Sequence, residues 1–443
     1  MVTVLLFIGG VAFVAIGIAV SIALHEVGHL LPAKLFNVRV TRYMIGFGPT
    51  MFSRKKGETE YGIKAIPAGG YVAMVGMYPP NRSDGSVRPS STGMFQTLAS
   101  EARSAAHEEV GPEDSNRVFY KLPVWKKIII MLGGPFMNLL IGVVLMAVLL
   151  MGFGSAQATT TLSEVNACQV AYGQPVPTDL NNCTKTPAAA AGLLPGDSIT
   201  SFDGQAVTDW TAFTERVRAS AGKNVALVYE RGGKSISTTI TPVLTARPVI
   251  DANGLAQVDD AGKAVTVQAG FLGVGPTSAM VPQPASAVLP AVAHNVTQIG
   301  GVVFQLPQKL VGVAKAAFSS EPRDPNGPIS VVGVGRVAGE VAAMEEVPLS
   351  ARAATLIGLL AGVNLALFVF NLIPLLPLDG GHVLGALYEG ARRIVAKVFK
   401  RRDPGPFDIA KLLPVTYVAA IVLIGMGALL IYADIVKPVN LFG

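Results

Sequence analysis

Four stretches of the chain are long and apolar, with charge almost absent: residues 2–24, 128–152, 354–376 and 412–436. Each is long enough for a helix across a bilayer, which takes about 20 residues. The first carries no charge at all and then breaks abruptly into Leu24-His25-Glu26-Val27-Gly28-His29-Leu30. Between the long runs the periodicity shortens. Residues 38–76 are short β-prone runs punctuated by Gly and Pro, with charge gathered at Arg54-Lys55-Lys56-Gly57. They predict a small sheet, apolar enough to dip into the bilayer where protein or water covers its edges. An open edge on such a sheet can take an extended peptide as an added strand.

Residues 79–116 are rich in Ser, Pro, Gly, Glu and Asp and predict a mobile cytoplasmic loop; His107 within it has no partner at ligand spacing. From Thr159 the pattern is strand, short helix, hairpin, helix, hairpin. Gly192 ends the short helix, Pro195-Gly196-Asp197 turns into a strand, and Asp203-Gly204 marks a hairpin. In this order the segment resembles the PDZ domain of bacterial proteases, which implies binding of peptide ends or strands; a purely structural cover over the membrane core is the alternative. Residues 285–318 have a helical but interrupted apolar pattern with Lys309 and Lys315, which fits a surface-lying amphipathic helix better than a fifth span. His294 on it reads as an interfacial residue.

The fold class expected is therefore a polytopic α-helical membrane protein with four transmembrane helices, a membrane-associated β-sheet and an extracytoplasmic PDZ (α+β) domain. The expected segments are the first transmembrane helix (1–37), the sheet (38–78) and the cytoplasmic loop (79–124). The second transmembrane helix (125–153), the PDZ domain (158–245) and further strands and amphipathic helices (246–350) follow. The third transmembrane helix (351–382), a second cytoplasmic loop (383–411) and the fourth transmembrane helix (412–443) complete the chain.

Composition agrees: 51% of the 443 residues are hydrophobic and 14% charged, with a mean hydropathy of +0.49. A signal peptide is not expected at the start, since no basic residue precedes the apolar run and no small-x-small cleavage site separates it from His25. Fourteen Lys and Arg lie between the first two spans and seven between the last two, while the flank 153–182 has none. The basic loops face the cytoplasm, so both termini and the PDZ-like region face outward across the inner membrane. The net charge of +6 fits contact with the inner leaflet, and no basic cluster interleaved with aromatics suggests nucleic acid. The only two cysteines, Cys168 and Cys183, fall in the outward region; a disulfide is favoured over two free thiols.

The chemistry centres on the break after the first run. On a helix His25 and His29 sit one turn apart on one face and can address one metal ion, with Glu26 beside them to take a proton from a water. Ionisable residues at the end of a membrane-length helix are costly and mark a functional site. A catalytic zinc takes three protein ligands. The third is sought in Asn371-Leu372-Ile373-Pro374-Leu375-Leu376-Pro377-Leu378-Asp379-Gly380-Gly381-His382, where Pro374 and Pro377 oppose a continuous helix. Spans one and three run in the same direction, so the unwound segment lies at the depth of the histidines. Asp379 is placed ahead of His382, which sits nearer the exposed flank. Gly133-Gly134-Pro135-Phe136-Met137-Asn138 in the second span leaves two readings, a packing kink or an Asn138 that supports the site.

Taken together, H-E-x-x-H, G-P-x-x-N, the PDZ-like segment and N-x-x-P-x-x-P-L-D-G-G resemble, in order and over nearly the whole chain, the bacterial site-2 protease family of RseP-like zinc intramembrane metalloproteases. The resemblance implies one Zn2+ on His25, His29 and Asp379 and Glu26 as general base. It also implies Asn371 holding an unwound substrate, and a sheet that receives the substrate as a strand beside Gly70 and Tyr71. It implies hydrolysis of single-span membrane proteins, such as anti-sigma factors, after a first outward-side cut. This chain carries one PDZ-like segment where some relatives carry two. A catalytically silent PDZ receptor and a metal transporter are the competing classes. The first would not need Glu26, and the second should line its spans with more polar residues than are present.

Overall fold

The computed structural model describes residues 2–79, 116–170, 183–249, 264–319 and 327–439, together with 174, 257, 321, 323 and 324. His107 and most of the loop predicted at 79–124 lie outside the described residues. The chain divides into two compact units, Met1–Phe153 with Pro284–Gly443, and Gly154–Gln283.

The first apolar run and the histidine motif form one helix, α1 (Val2–Leu35). It ends where the sequence places its end. Asn37 takes a left-handed φ of 61°, and the Val38 N–H returns to the Ala33 carbonyl at 2.9 Å, closing a Schellman turn. Two long strands follow, β1 (Val40–Lys56) and β2 (Thr59–Met74). Both bend, at Gly46 and Gly69 among others, where φ is 90° and 110°, conformations that only glycine adopts without strain. The bends let 42–45 pair with 60–63 on one side and with 70–73 on the other, while 52–56 pairs with 59–63. The sheet thus runs 52–56, 59–63, 42–45, 70–74, and among the described residues 70–74 is an edge. The next span is α2 (Val124–Ala147), prolonged by a wider turn, Val148–Phe153.

The unit Gly154–Gln283 holds β3 (Ser155–Val165), α3 (Pro187–Ala190), β4 (Ser198–Phe202), β5 (Gln205–Ala206), α4 (Trp210–Ala219), β6 (Val225–Arg231), β7 (Lys234–Ile240), β8 (Val243–Pro248), β9 (Thr266–Phe271) and β10 (Val274–Val281). Its main sheet has the order β10-β3-β4-β6-β7, with β5 on β4, and β8 pairs β9. The Asp203-Gly204 turn has both φ angles positive, 52° and 73°, the two-residue hairpin its sequence predicts. Phe202, Leu227, Ile199 and Leu162 form the dry centre. The unit extends past the expected 158–245 because β10 returns to pair with β3. A disulfide joins Cys168 and Cys183, whose Cα atoms are 5.6 Å apart.

The chain then forms α5 (Val288–Phe318), α6 (Val331–Ala343), α7 (Leu349–Asn371), α8 (Asp379–Val398) and α9 (Leu413–Val436). Among the described residues five helices are long and apolar enough to cross a membrane; besides the four expected spans they include Ala285–Phe318, whose hydropathy is the lowest of the five and which stays helical through Pro307. The third span ends at Asn371 and the proline-bearing stretch after it leaves the helix, as its sequence predicts, although the apolar run continues to residue 376. The segment 383–411, read as a loop, carries most of α8; its charged residues alternate with apolar ones at helical spacing and hide it from a hydropathy scan.

Within the first unit α1 packs on α2, α6 and α7, and α2 on α7 and α8. Asn364 of α7 donates to the Ser21 hydroxyl of α1 at 3.0 Å, a buried polar link between the two helices. Where α2 meets α8, the Lys127 ammonium and the Glu389 carboxylate pair at 2.7 Å, both buried.

Candidate metal centre

His25 and His29 stand on adjacent turns of α1 with their Nε2 atoms 3.2 Å apart. Asp379 opens α8, and its Oδ2 lies 3.3 Å from His25 Nε2 and 3.4 Å from His29 Nε2. The loop between α7 and α8 brings it there. Asn371 ends one helix, Leu378 precedes the next in extended conformation, and the loop folds back on the first turn of α8. Gly380 and Gly381 allow this: a Cβ on Gly380 would stand 2.5 Å from the Leu372 carbonyl oxygen, and one on Gly381 2.5 Å from the Leu376 nitrogen.

Helix α2 forms another wall. Gly28 and Gly133 bring α1 and α2 together backbone to backbone, so a Cβ on either would strike the other's carbonyl. Pro135 has no N–H to give the Met131 carbonyl, and the neighbouring Ile130 carbonyl accepts from His29 Nδ1 at 2.7 Å. The Asn138 amide, 1% exposed, meets His25 Nδ1 at 3.0 Å. Both imidazoles are therefore held by α2 through Nδ1 and turn Nε2 toward Asp379.

The residues fit a metal. The three ligand atoms lie within 4.8 Å of one another, and Asp379 Oδ2 is buried with no hydrogen-bond donor. A Cβ built on Gly134 would stand 2.6 Å from His25 Nε2 and closer still to His29 Nε2, so the absent side chain is the room into which both nitrogens point. Two imidazoles, one carboxylate and an open side are the donor set of a catalytic zinc.

The open side is a cavity of about 290 Å³, lined by the ligands and by Glu26, Gly70, Tyr71, Asn371, Pro377 and His382. Glu26 is buried beside the ligands without joining them. The edge strand 70–74 contributes its first residues directly to this cavity. Nearly all the residues singled out in the sequence thus converge. Pro374 is exposed and off the cavity lining, shaping the loop only, and the Cys168–Cys183 pair belongs to the other unit. Sequence reasoning missed Gly134, Ile130 and the presence of His382 in the cavity. The Gly-Gly-Pro run was the available signal for the first two.

Helices of membrane length carrying a buried two-histidine, one-carboxylate centre with a free glutamate beside it define a metal-dependent hydrolase of the membrane. Comparison with known proteins agrees. Residues 13–402 match the model of peptidase family M50. The chain is 32% identical to the zinc metalloprotease Rip1 of Mycobacterium tuberculosis (strain H37Rv) across 99% of this chain and 100% of that protein. It is 31% identical to Rip1 of Mycolicibacterium smegmatis (98% of each) and 28% identical to the metalloprotease MmpA of Caulobacter vibrioides (85% of each). The chain belongs to peptidase family M50, the site-2 proteases, and is a zinc metalloprotease with several membrane-length helices.

Proposed function

We propose that this protein cleaves single-span membrane proteins, such as anti-sigma factors, inside the inner membrane after a first cut on their outward side. The observation that carries this reading is the meeting of an unpaired strand edge and a metal centre in one cavity. On its outer side the strand 70–74 has no strand partner among the described residues, and Gly70 and Tyr71 line the same space as Glu26. A helical substrate hides its amides in its own hydrogen bonds, so it must unwind before hydrolysis. Main-chain pairing with the edge replaces those bonds, and the Asn371 side-chain amide offers one more.

His25, His29 and Asp379 hold the zinc. Bound there, zinc supplies a Lewis acid that polarises a peptide carbonyl and makes a water acidic enough to lose its proton near neutral pH. Glu26 takes that proton and delivers it to the departing amine nitrogen. Its burial keeps bulk water from competing for the same contacts.

Four of the five long helices cross the membrane in this reading. Val288–Phe318 lies at the outward surface, in keeping with its lower hydropathy and its Lys309 and Lys315. The basic residues between spans one and two and between spans three and four put the zinc centre toward the cytoplasm. Gly154–Gln283 then faces outward as the PDZ domain. A groove of about 340 Å³ between α4 and the segment around Phe271 supports its binding of newly cut peptide ends. Arg247 there is stacked 3.4 Å from the Phe271 ring centre.

The test is to offer the purified protein one single-span substrate in two forms, with its outward domain intact and with that domain removed. Cleavage of the trimmed form, at a bond that mass spectrometry places within the span, is expected. Equal cleavage of both forms, or a cut outside the span, contradicts the proposal.

A further inference from the structure

We infer that Asn138 is the positioning residue for His25, and that with zinc bound its side-chain amide presents Oδ1, not Nδ2, to His25 Nδ1. This rests on His25 being a zinc ligand. A neutral imidazole that gives the Nε2 lone pair to a metal carries its proton on Nδ1, so whatever meets Nδ1 has to accept. His29 already obeys this rule, because its Nδ1 donates to the Ile130 carbonyl, which can only accept. At His25 the partner is an amide with one accepting and one donating end. Nδ2 now stands 3.0 Å from Nδ1, while Oδ1 is buried and has no hydrogen-bond partner. A half-turn of the amide exchanges the two ends in nearly the same volume. The pair becomes Nδ1–H donating to Oδ1, and Nε2 is free for the metal.

Among the described residues the Asn138 amide is the group in hydrogen-bond contact with His25 Nδ1. Asn138 is 1% exposed, so no bulk water substitutes. Asn138 lies one turn along α2 from Gly134, whose missing side chain leaves the room for the ion. One face of α2 therefore clears space for the metal and fixes the tautomer of both its histidines. The run Gly133-Gly134-Pro135-x-x-Asn138 thus serves close packing, through Gly133 against Gly28, and in this inference the site as well, through Asn138. Partners of this kind are worth about 10- to 100-fold in metal affinity.

Zinc affinity of the detergent-purified full-length protein, measured by chelator competition, tests the assignment, with the visible spectrum of the cobalt-substituted protein as a second readout. Asn138→Asp keeps the acceptor and removes the amide donor, so it is expected to bind zinc at least as tightly as wild type and to keep the cobalt spectrum. Asn138→Leu is expected to lose about 10- to 100-fold. If Asn138→Asp loses tenfold or more, the amide acts as a donor and the inference is overturned. Wild-type affinity in Asn138→Leu overturns it as well. Should Asn138→Leu not fold, Asn138→Asp decides alone, since the two orientations give it opposite outcomes. His25→Ala is the control for the reading beneath: unchanged zinc affinity there removes His25 from the ligand set, and the inference with it.

Discussion

Gly70 lies directly against the side chain of Glu26: a Cβ on it would stand 2.8 Å from Glu26 Cγ and 3.2 Å from Oε1. The sheet edge and Glu26 are thus in contact, so in the proposed mechanism the strand that would receive a substrate also fixes the base that would act on it. Substituting Gly70 by Ala is expected to displace Glu26 without touching a zinc ligand. A shift near 1 Å in a reacting group costs up to about 100-fold. Turnover should therefore fall at least tenfold while zinc content stays at one per chain. Loss of zinc in this variant would show that Gly70 serves the metal site instead.

Gly134→Ala should do the reverse. Its methyl would fill the space between His25 Nε2 and His29 Nε2. The measurement is elemental analysis of the purified variant beside its circular dichroism spectrum. Near-zero zinc in a protein of normal helix content is expected, and full zinc occupancy would mean the ion lies elsewhere.

The buried Lys127–Glu389 pair, 2.7 Å long and joined by the Phe407 N–H at 3.1 Å, holds α8, and so Asp379, against α2. Glu389→Leu leaves the Lys127 charge buried without its partner and should cost about 3–5 kcal/mol, read as a lower unfolding temperature in detergent; Lys127→Met should cost less, because Arg393 still meets Glu389 at 3.0 Å. Removing both should cost less than the sum of the two. Strict additivity would mean that the two side chains act separately.

In the other unit, Arg231 grips Asp197 through two hydrogen bonds of 2.6 and 2.7 Å, and the Leu194 amide adds a third of 2.8 Å. Burial works against the ionised Asp197 carboxyl, but Arg231 and the Leu194 amide outweigh it and hold the group below its ordinary range. A carboxyl depressed in the folded state contributes stability that is complete above its unfolded pKa of about 3.9 and is lost as pH falls through the lower folded value. Protection of β4 and β6 against hydrogen exchange in the full-length protein, taken relative to the intrinsic rate at each pH, should fall below about pH 4 in wild type. In Asp197→Asn that part of the acid response should be absent. An identical acid response in both would assign it to other groups.

The candidate site was legible wherever chemistry and spacing coincide. His25, Glu26 and His29 declared themselves by standing after an uncharged run, and Asp379 by following prolines that end a helix at the same depth. Asn37 and Asp203-Gly204 were legible because each needs a backbone conformation that few residues adopt. What stayed hidden depends on partners far away in sequence. Gly134 matters through a side chain it lacks, facing histidines more than a hundred residues earlier. Helix α8 was concealed because its charged residues, alternating with apolar ones at helical spacing, keep its hydropathy low. The double pairing of 42–45 was equally silent, since strand alternation says nothing about how many neighbours a strand has.

Glu26 carries the claim that this centre hydrolyses peptide bonds, and Glu26→Gln tests it most directly. The variant keeps the shape of the side chain and all three ligands, so it should retain one zinc per chain. A general base is worth about 10²- to 10⁴-fold, and cleavage of a labelled single-span substrate in detergent should fall by that factor. Zinc-loaded Glu26→Gln cleaving at the wild-type rate would contradict it.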